Sequence, residues 1–237
     1  MRRWFEPLAL VGWGSLPWYY ASQQRLTLLV RQEYVPLVLV AGTGLILLGV
    51  GLGLWQGRVL ALGGRGSGHR PLLPTGVGAV IVLLVILVGI LFSPRPLSSQ
   101  TALNRGGVTL LQQGRLAPQR FEIVLDPSQR SLIDWVRTLQ AYPDPQSYVG
   151  QAVRIEGFVI HPPDEDPQTF WLARFVIGCC AADAYPVGLV VHWPDAAALP
   201  KDSWQRVEGR MALSPERSLW VMAETVEMIP IPENPYG

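Results

Sequence analysis

Three long stretches without a charged side chain dominate the first part of the chain. Residues 7–24, 34–57 and 71–94 contain no Asp, Glu, Lys or Arg, and they are 18, 24 and 24 residues long. A charged group in hydrocarbon costs several kcal/mol, and a helix needs about 20 apolar residues to cross a bilayer. We therefore predict three transmembrane helices, at about residues 5–22, 35–55 and 73–92.

The first stretch also permits a second interpretation. Pro17 interrupts it, Arg2 and Arg3 resemble the basic start of a signal peptide, and Ala21-Ser22 supplies small residues for cleavage. A retained helix places Arg2, Arg3 and the arginine-rich loop before the third stretch on one side of the membrane, which is the cytoplasm by the positive-inside rule. Both interpretations export the C-terminal part, so we predict an extracytoplasmic domain there. The retained first helix, which we favour, gives a plasma-membrane protein with its N-terminus in the cytoplasm.

The charge distribution separates a membrane part from a soluble part. The chain is 49% hydrophobic and only 16% charged, which is unusual for a purely soluble protein. Residues 1–94 carry seven Arg and two Glu, whereas residues 95–237 carry twelve Lys or Arg and sixteen Asp or Glu. The nearly neutral total gives no reason to expect a nucleic-acid partner. We predict a transmembrane region at 1–92, a linker at 93–120 and a domain at 121–237.

The domain is predicted to be mainly β, a small barrel preceded by one helix. Asp126-Pro127-Ser128 is a helix-start signal, and apolar residues follow at helical spacing before Pro143. Gly157 and Gly209 lie inside strand-like runs, which favours a strongly bent barrel of the oligonucleotide/oligosaccharide-binding (OB) type over the alternative, a β-sandwich. The five strand-like runs are 151–160, 169–178, 186–193, 203–214 and 218–229.

The candidate chemistry lies at the only two cysteines, Cys179 and Cys180, with Asp183 three residues further on. Two thiolates and a carboxylate are ligands for zinc or copper(I). Neighbouring side chains on extended backbone point to opposite faces, so one ion needs a turn here to gather both sulfur atoms. Two alternatives stay open: a redox pair that forms a vicinal disulfide, and two small buried residues of the barrel core.

Other polar residues are weaker candidates. His161 and His192 each end a predicted strand and would complete a tetrahedral zinc or copper site, although hydrogen-bonded structural histidines are more common. The acidic run 164–166 could attract a hard cation or form a solvated turn. Arg174 could pair with Asp183 or lie free on the surface.

Several common catalytic motifs are missing from the sequence. It contains no phosphate-binding glycine loop, no G-x-S-x-G nucleophile motif and no H-E-x-x-H metalloprotease motif. The predicted spans also lack a charged residue at their centres, so three helices alone are a poor ion path. We predict a non-enzymatic protein that is not a transporter by itself.

The sequence around the cysteines, RFVIGCCAADAYPVGLVV, together with SYVGQAVRIEGFVI and DSWQRVEGRM, resembles an uncharacterised bacterial family described as permease-complex subunits. Members of that family have hydrophobic N-terminal helices, a linker, a C-terminal domain with the CCAADA motif and a P-x-x-P-Y tail, here residues 232–236. The resemblance singles out Arg174, Phe175, Cys179, Cys180, Ala181, Ala182, Asp183, Pro186 and Gly188, with Gly150, Gly157, Trp204 and Gly209 as framework positions.

Members of this family are typically encoded beside a predicted multi-pass permease. The resemblance therefore implies an accessory subunit of a two-component membrane permease, with no cofactor or catalytic residue assigned. From this resemblance together with Cys179, Cys180 and Asp183, we expect that the exported domain binds or senses a solute such as a transition-metal ion. The alternatives are a membrane-anchored thiol redox protein and a purely structural module for the permease.

Overall fold

The computed structural model describes residues 4–61, 77–105, 126–163, 166–215 and 218–236. The chain divides into two compact units, Met1–Arg95 and Pro96–Gly237. The helices are α1 (Phe5–Ser22), α2 (Val35–Ala61), α3 (Val77–Leu91), α4 (Ser99–Asn104) and α5 (Leu132–Ala141). The strands are β1 (Ala152–Ile160), β2 (Thr169–Val176), β3 (Tyr185–His192), β4 (Trp204–Leu213) and β5 (Leu219–Ile229).

Only one helix in the described ranges is long and apolar enough to cross a membrane, and it runs from Gln32 to Arg58. Just 17% of its most apolar window is buried among the described residues, whereas the core helix of a soluble protein is mostly buried. Its position near the N-terminus fits a membrane anchor or a signal sequence. Three spans were predicted, and the other two segments do not meet this test within the described ranges. Helix α1 contains Pro17 and several Trp and Tyr residues. The apolar part of α3, Val80–Leu91, is shorter, and residues 73–76 of the third predicted span lie outside the described ranges.

Glycine residues allow close packing of α1 against α2. A Cβ atom on Gly14 would lie 2.5 Å from the carbonyl oxygen of Gly42, and one on Gly49 would lie 2.8 Å from the carbonyl oxygen of Pro7. Gly51, in contrast, has no described atom within 4 Å of a Cβ position. Small residues therefore allow close helix packing on one face of α2.

The C-terminal unit contains a closed five-stranded barrel with the strand order β1-β2-β3-β5-β4. All described strand pairs are antiparallel except β3 and β5, which are parallel. The predicted small barrel is confirmed and the alternative sandwich is wrong, whereas assignment to the OB type stays a prediction. Gly157 lies where a Cβ atom would approach the Ala173 carbonyl oxygen to 2.5 Å, so its neighbouring strand requires a glycine there.

The core lies inside the barrel and beneath α5. Strand β1 sends Val153, Ile155 and Val159 inward, as the alternating pattern predicts. The α5 residues Leu132 and Trp135 are also almost completely buried. Burial of such large apolar side chains stabilises the domain by roughly 1.5–3 kcal/mol each.

A second apolar cluster lies outside the barrel interior. Phe158 stacks on Phe175 with ring centroids 5.5 Å apart, and Trp204 packs at 6.1 Å from Phe158. Tyr236 of the C-terminal segment covers Phe175 edge-on, and its hydroxyl accepts a 3.0 Å hydrogen bond from the Leu97 amide. The C-terminal segment is therefore part of the domain.

Helix α5 begins later than the sequence signal suggested. Asp126 caps a short 3-10 turn, Pro127–Gln129, by accepting a hydrogen bond from the Ser128 amide. The helix itself begins after Ser131, whose hydroxyl and backbone amide form a capping box with Asp134. Two capping signals occur in succession, and the one with the reciprocal bonds starts the helix.

The described first half of the predicted linker 93–120 is not a featureless spacer. It contains α4, in which Ser99 and Ala102 are fully buried. The Ser99 amide donates a 2.5 Å hydrogen bond to the carboxylate of Asp202. These contacts join α4 to the barrel unit, while residues 106–120 lie outside the described ranges.

Candidate metal-binding site

The two cysteines lie on the connection between β2 and β3. Strand β2 ends at Val176, and a 3-10 turn, Ala181–Asp183, leads into β3. Cys179 is exposed and Cys180 is half-buried, and both are free thiols. The interpretation of the pair as buried core residues is therefore wrong, because the loop lies outside the barrel core.

Asp183 organises this loop from within. Its carboxylate accepts hydrogen bonds from the backbone amides of Gly178 at 3.0 Å, Cys179 at 2.8 Å and Cys180 at 3.4 Å. A Cβ atom on Gly178 would lie 2.8 Å from an Asp183 carboxylate oxygen. The glycine before the cysteines therefore leaves room for the carboxylate to reach all three donors.

The turn brings the three predicted ligands together. The two Sγ atoms and a carboxylate oxygen of Asp183 all lie within 4.8 Å of one another. Extended backbone at Cys180 (φ −152°, ψ 168°) would separate neighbouring side chains, but the loop turns directly after it and returns Asp183 to the sulfur atoms. Two sulfur atoms and one oxygen atom could hold a zinc or copper(I) ion and leave a coordination position open.

The electrostatics of the loop favour a charged Asp183 and a neutral Cys179 thiol. Burial pushes the pKa of Asp183 upward, but the backbone amide of Cys179, the Cys179 thiol and the amides of Gly178 and Cys180 outweigh it and lower that pKa below its usual value. The hydrogen bond to Asp183, followed by that to Cys180, raises the pKa of the Cys179 thiol to about 11. A metal ion must therefore displace a proton from Cys179 when it binds.

Arg105 contacts the loop from a distant part of the chain, and no sequence pattern predicts this contact. Its guanidinium donates to the carbonyl oxygens of Ala181 at 3.1 Å and Ala184 at 2.7 Å. The residue follows α4 in a segment predicted to be a linker, 76 positions before Ala181. Hydrogen bonds from a charged donor are stronger than neutral ones, so Arg105 stiffens the turn that carries Asp183.

The histidines do not join this site. His192 ends β3, whereas the cysteine loop precedes the start of the same strand, so a whole strand of roughly 3.3 Å per residue separates them. His192 stacks on Trp220 with ring centroids 5.0 Å apart. The Nε2 atom of His161 is 2.9 Å from the carbonyl oxygen of Leu199. The suggestion that either histidine completes the metal site is therefore wrong.

Two further candidates make contacts away from the cysteine loop. Arg174 does not pair with Asp183; it donates to the carbonyl oxygen of Asn234 at 3.2 Å and lies 5.3 Å from the Trp204 ring centroid. Of the acidic run, 164–165 lie outside the described ranges, and Asp166 accepts a hydrogen bond from the Gln168 amide as a turn residue does. Neither contributes to the cysteine loop.

A known family of domains matches the C-terminal part of the chain. Residues 120–236 match the family model of the DUF1980 C-terminal domain, an uncharacterised family. The match covers the barrel, the helix before it and the cysteine loop. No curated protein matches the chain.

Proposed function

We propose that this protein is an accessory subunit of a membrane permease, whose exported barrel binds a transition-metal ion at Cys179, Cys180 and Asp183. The observation that supports metal binding best is the convergence of three ligand atoms within 4.8 Å on an accessible loop. Thiolates select zinc or copper(I) over hard cations such as magnesium. The carboxylate adds a charged ligand that is already fixed by backbone donors.

The proposed membrane arrangement has three spans, with the N-terminus in the cytoplasm. The large apolar side chains exposed on this protein lie mostly on α1, α2 and α3, among them Leu37, Val40 and Leu54, which are 63%, 69% and 66% exposed. Such a surface needs lipid or a partner helix to cover it. The positive-inside rule supports the orientation, since five of the seven arginines of residues 1–94 precede the first apolar segment or follow the second.

The permease partner is proposed from the resemblance to permease-complex subunits. The chain has a short membrane region with no charged residue central to its apolar segments, which suits a subunit better than an independent transporter. The metal loop would then present a cargo ion to the permease or sense its presence.

A thiol redox protein is the second candidate. Two free thiols lie next to each other on an accessible loop, as a reversible disulfide would need. The raised pKa of Cys179 opposes this function, because the thiolate is the nucleophile in disulfide exchange. Metal binding fits better, since the charge of a bound cation would stabilise the thiolate directly.

Metal titration of the full-length protein in a neutral detergent tests the site. We expect one zinc or copper(I) ion per chain, and binding at least about tenfold weaker in Cys179→Ser, Cys180→Ser and Asp183→Asn. His161→Gln is the matched control and should bind like the wild type, because His161 lies away from the loop. Unchanged affinity in the double cysteine variant would contradict the metal site.

Purification of the tagged full-length chain from its own membranes in a mild detergent tests the partner. We expect a multi-pass permease to co-purify near stoichiometry. Recovery of the chain alone, under conditions that preserve other membrane complexes, would overturn the subunit proposal and leave the metal site as a separate question.

A further inference from the structure

His192 has a ring nitrogen that the fold leaves without a partner. Among the described residues, its Nδ1 atom is buried and has no hydrogen-bond partner. A neutral imidazole offers one N–H donor and one lone pair, and a buried polar atom of either kind normally has a partner. His192 is the last residue of β3, at the opposite end of that strand from the cysteine loop. The unpartnered nitrogen therefore needs an explanation separate from the cysteine loop.

The strand register places a methionine beside this histidine. His192 and Met222 are directly opposite each other in the parallel pair of β3 and β5, and paired strands lie about 4.8 Å apart. The preceding pair, Val191 and Val221, is fully buried in the barrel core. Successive side chains on a strand point to opposite faces, so His192 and Met222 both face outward. The flexible Met222 side chain can therefore bring its sulfur atom to the imidazole.

A tryptophan lies on the same outer face. Trp220 is two residues before Met222 on β5, and its ring stacks on the imidazole of His192 with ring centroids 5.0 Å apart and planes at 27°. The Nε1 atom of Trp220 is also buried without a hydrogen-bond partner in the described part of the chain. Met222, in contrast, is 42% exposed. The cluster is therefore dry at its rings and accessible from solvent at its thioether.

The ligand atoms of this cluster are uncharged when they bind a metal ion. A thioether has no charge, and histidine binds metals as the neutral imidazole. Arg210 is opposite Met222 on β4, but it forms a 3.2 Å ion pair with Glu224 and so adds little net charge. Uncharged ligands at a half-buried position compensate a monovalent cation more readily than a divalent one. The cluster therefore favours a soft ion of low charge.

We propose that His192 and Met222 bind a copper(I) ion beside the ring of Trp220. Thioether and imidazole ligands suit copper(I), whereas zinc sites in proteins use Cys, His and carboxylate ligands. The face of an indole ring attracts a cation that lies within about 6 Å of its centroid. A bound ion would also give the Nδ1 atom of His192 the partner that it lacks. This site contains no thiolate and does not depend on the cysteine loop or on the permease.

Copper(I) titration of the full-length Cys179→Ser/Cys180→Ser variant tests this site by itself. The variant is purified in a neutral detergent and titrated without oxygen, with ascorbate to keep the copper reduced and a coloured copper(I) chelator as competitor. We expect one copper(I) ion per chain, beyond the one at the cysteine loop of the wild type, and no zinc binding in this variant. Zinc titration of the wild type reports on the cysteine loop, so the two sites succeed or fail separately.

Substitutions in the same cysteine-free background connect the binding to the cluster. We expect Met222→Leu and His192→Gln each to weaken copper(I) binding at least about tenfold. Leucine keeps the size of the exposed Met222 side chain without its sulfur, so this variant folds even if His192→Gln does not. Met228→Leu is the matched control, because Met228 is 60% exposed on the same strand but lies opposite Gln205. The proposal is overturned if copper(I) binding does not saturate, or if Met222→Leu binds like Met228→Leu.

Discussion

At the scale of single residues, Asp183 determines the chemistry of the cysteine loop. Its carboxylate is held by three backbone amides and accepts the hydrogen bond that keeps the Cys179 thiol protonated. A thiol with a pKa of about 11 instead of 9 has roughly a hundredfold less thiolate at neutral pH. In the metal-free protein, Cys179 should therefore react slowly with electrophiles despite its exposure.

Asp183→Asn should accelerate alkylation of Cys179 in the metal-free protein. Asparagine keeps an oxygen for the backbone amides but removes the negative charge that disfavours the thiolate, so the pKa of Cys179 should fall toward its ordinary value. Because thiolates of lower pKa are intrinsically less nucleophilic, we expect a rate increase of roughly tenfold near pH 8. Iodoacetamide kinetics with peptide mass spectrometry measure this for each cysteine.

Asp195→Asn is the control for that experiment, since Asp195 is an exposed aspartate that precedes a different 3-10 turn. Its alkylation profile should match the wild type. Equal rates in Asp183→Asn and the wild type across pH 7–10 would show that the carboxylate does not control the thiol.

At the scale of secondary structure, glycine spacing explains how α1 and α2 approach each other. Gly42 and Gly49 are seven residues apart on one face of α2, and both lie against α1 backbone. Gly42→Ala should destabilise the helical unit by about 1–3 kcal/mol, because the added methyl group would lie 2.8 Å from the Gly14 carbonyl oxygen. Thermal unfolding of the full-length protein in detergent measures the change.

Gly51→Ala is the matched control on the same helix. No described atom lies within 4 Å of its Cβ position, so this variant should unfold at the wild-type temperature or slightly above it. A loss of stability of the same size in both variants would show that the close approach of Gly42 to α1 does not explain the effect.

The elements differ in how far the sequence could predict them. Strand bounds were predicted to within about two residues, because alternating residues such as Val153 and Ile155 face a single core. The start of α5 was placed too early, since Asp126 and Ser131 both carry capping signals and only tertiary structure shows which one begins the helix. The Arg105 contact was not predictable, because it joins positions far apart without any local pattern.

The residues of the candidate site also differ in how far the sequence could predict them. Cys179, Cys180 and Asp183 are close in sequence, so one turn is enough to bring their ligand atoms within 4.8 Å of one another, and metal binding there stays a prediction. His161 and His192 were added because each ends a strand, but strand ends lie at both ends of a barrel. Sequence position alone does not distinguish those two ends, and the structure places His192 away from the cysteines.

At the scale of the whole molecule, the cysteines offer a direct test of orientation. The chain has only two, and both belong to the barrel unit. A membrane-impermeant maleimide applied to intact cells at pH 8 should label the protein if the barrel is outside the cytoplasm. Labelling should disappear in the Cys179→Ser/Cys180→Ser variant, and labelling only after lysis would contradict the proposed topology.

The carboxylate that closes the cysteine loop also affects how long an ion would stay. Because the three amides fix Asp183 before any metal arrives, capture requires little rearrangement of the loop, but it must displace the proton of the Cys179 thiol. Cys179 is exposed, so water or the thiols of another protein can attack a bound ion from the open side. A site that releases its ion easily suits hand-over of a cargo more than long-term storage.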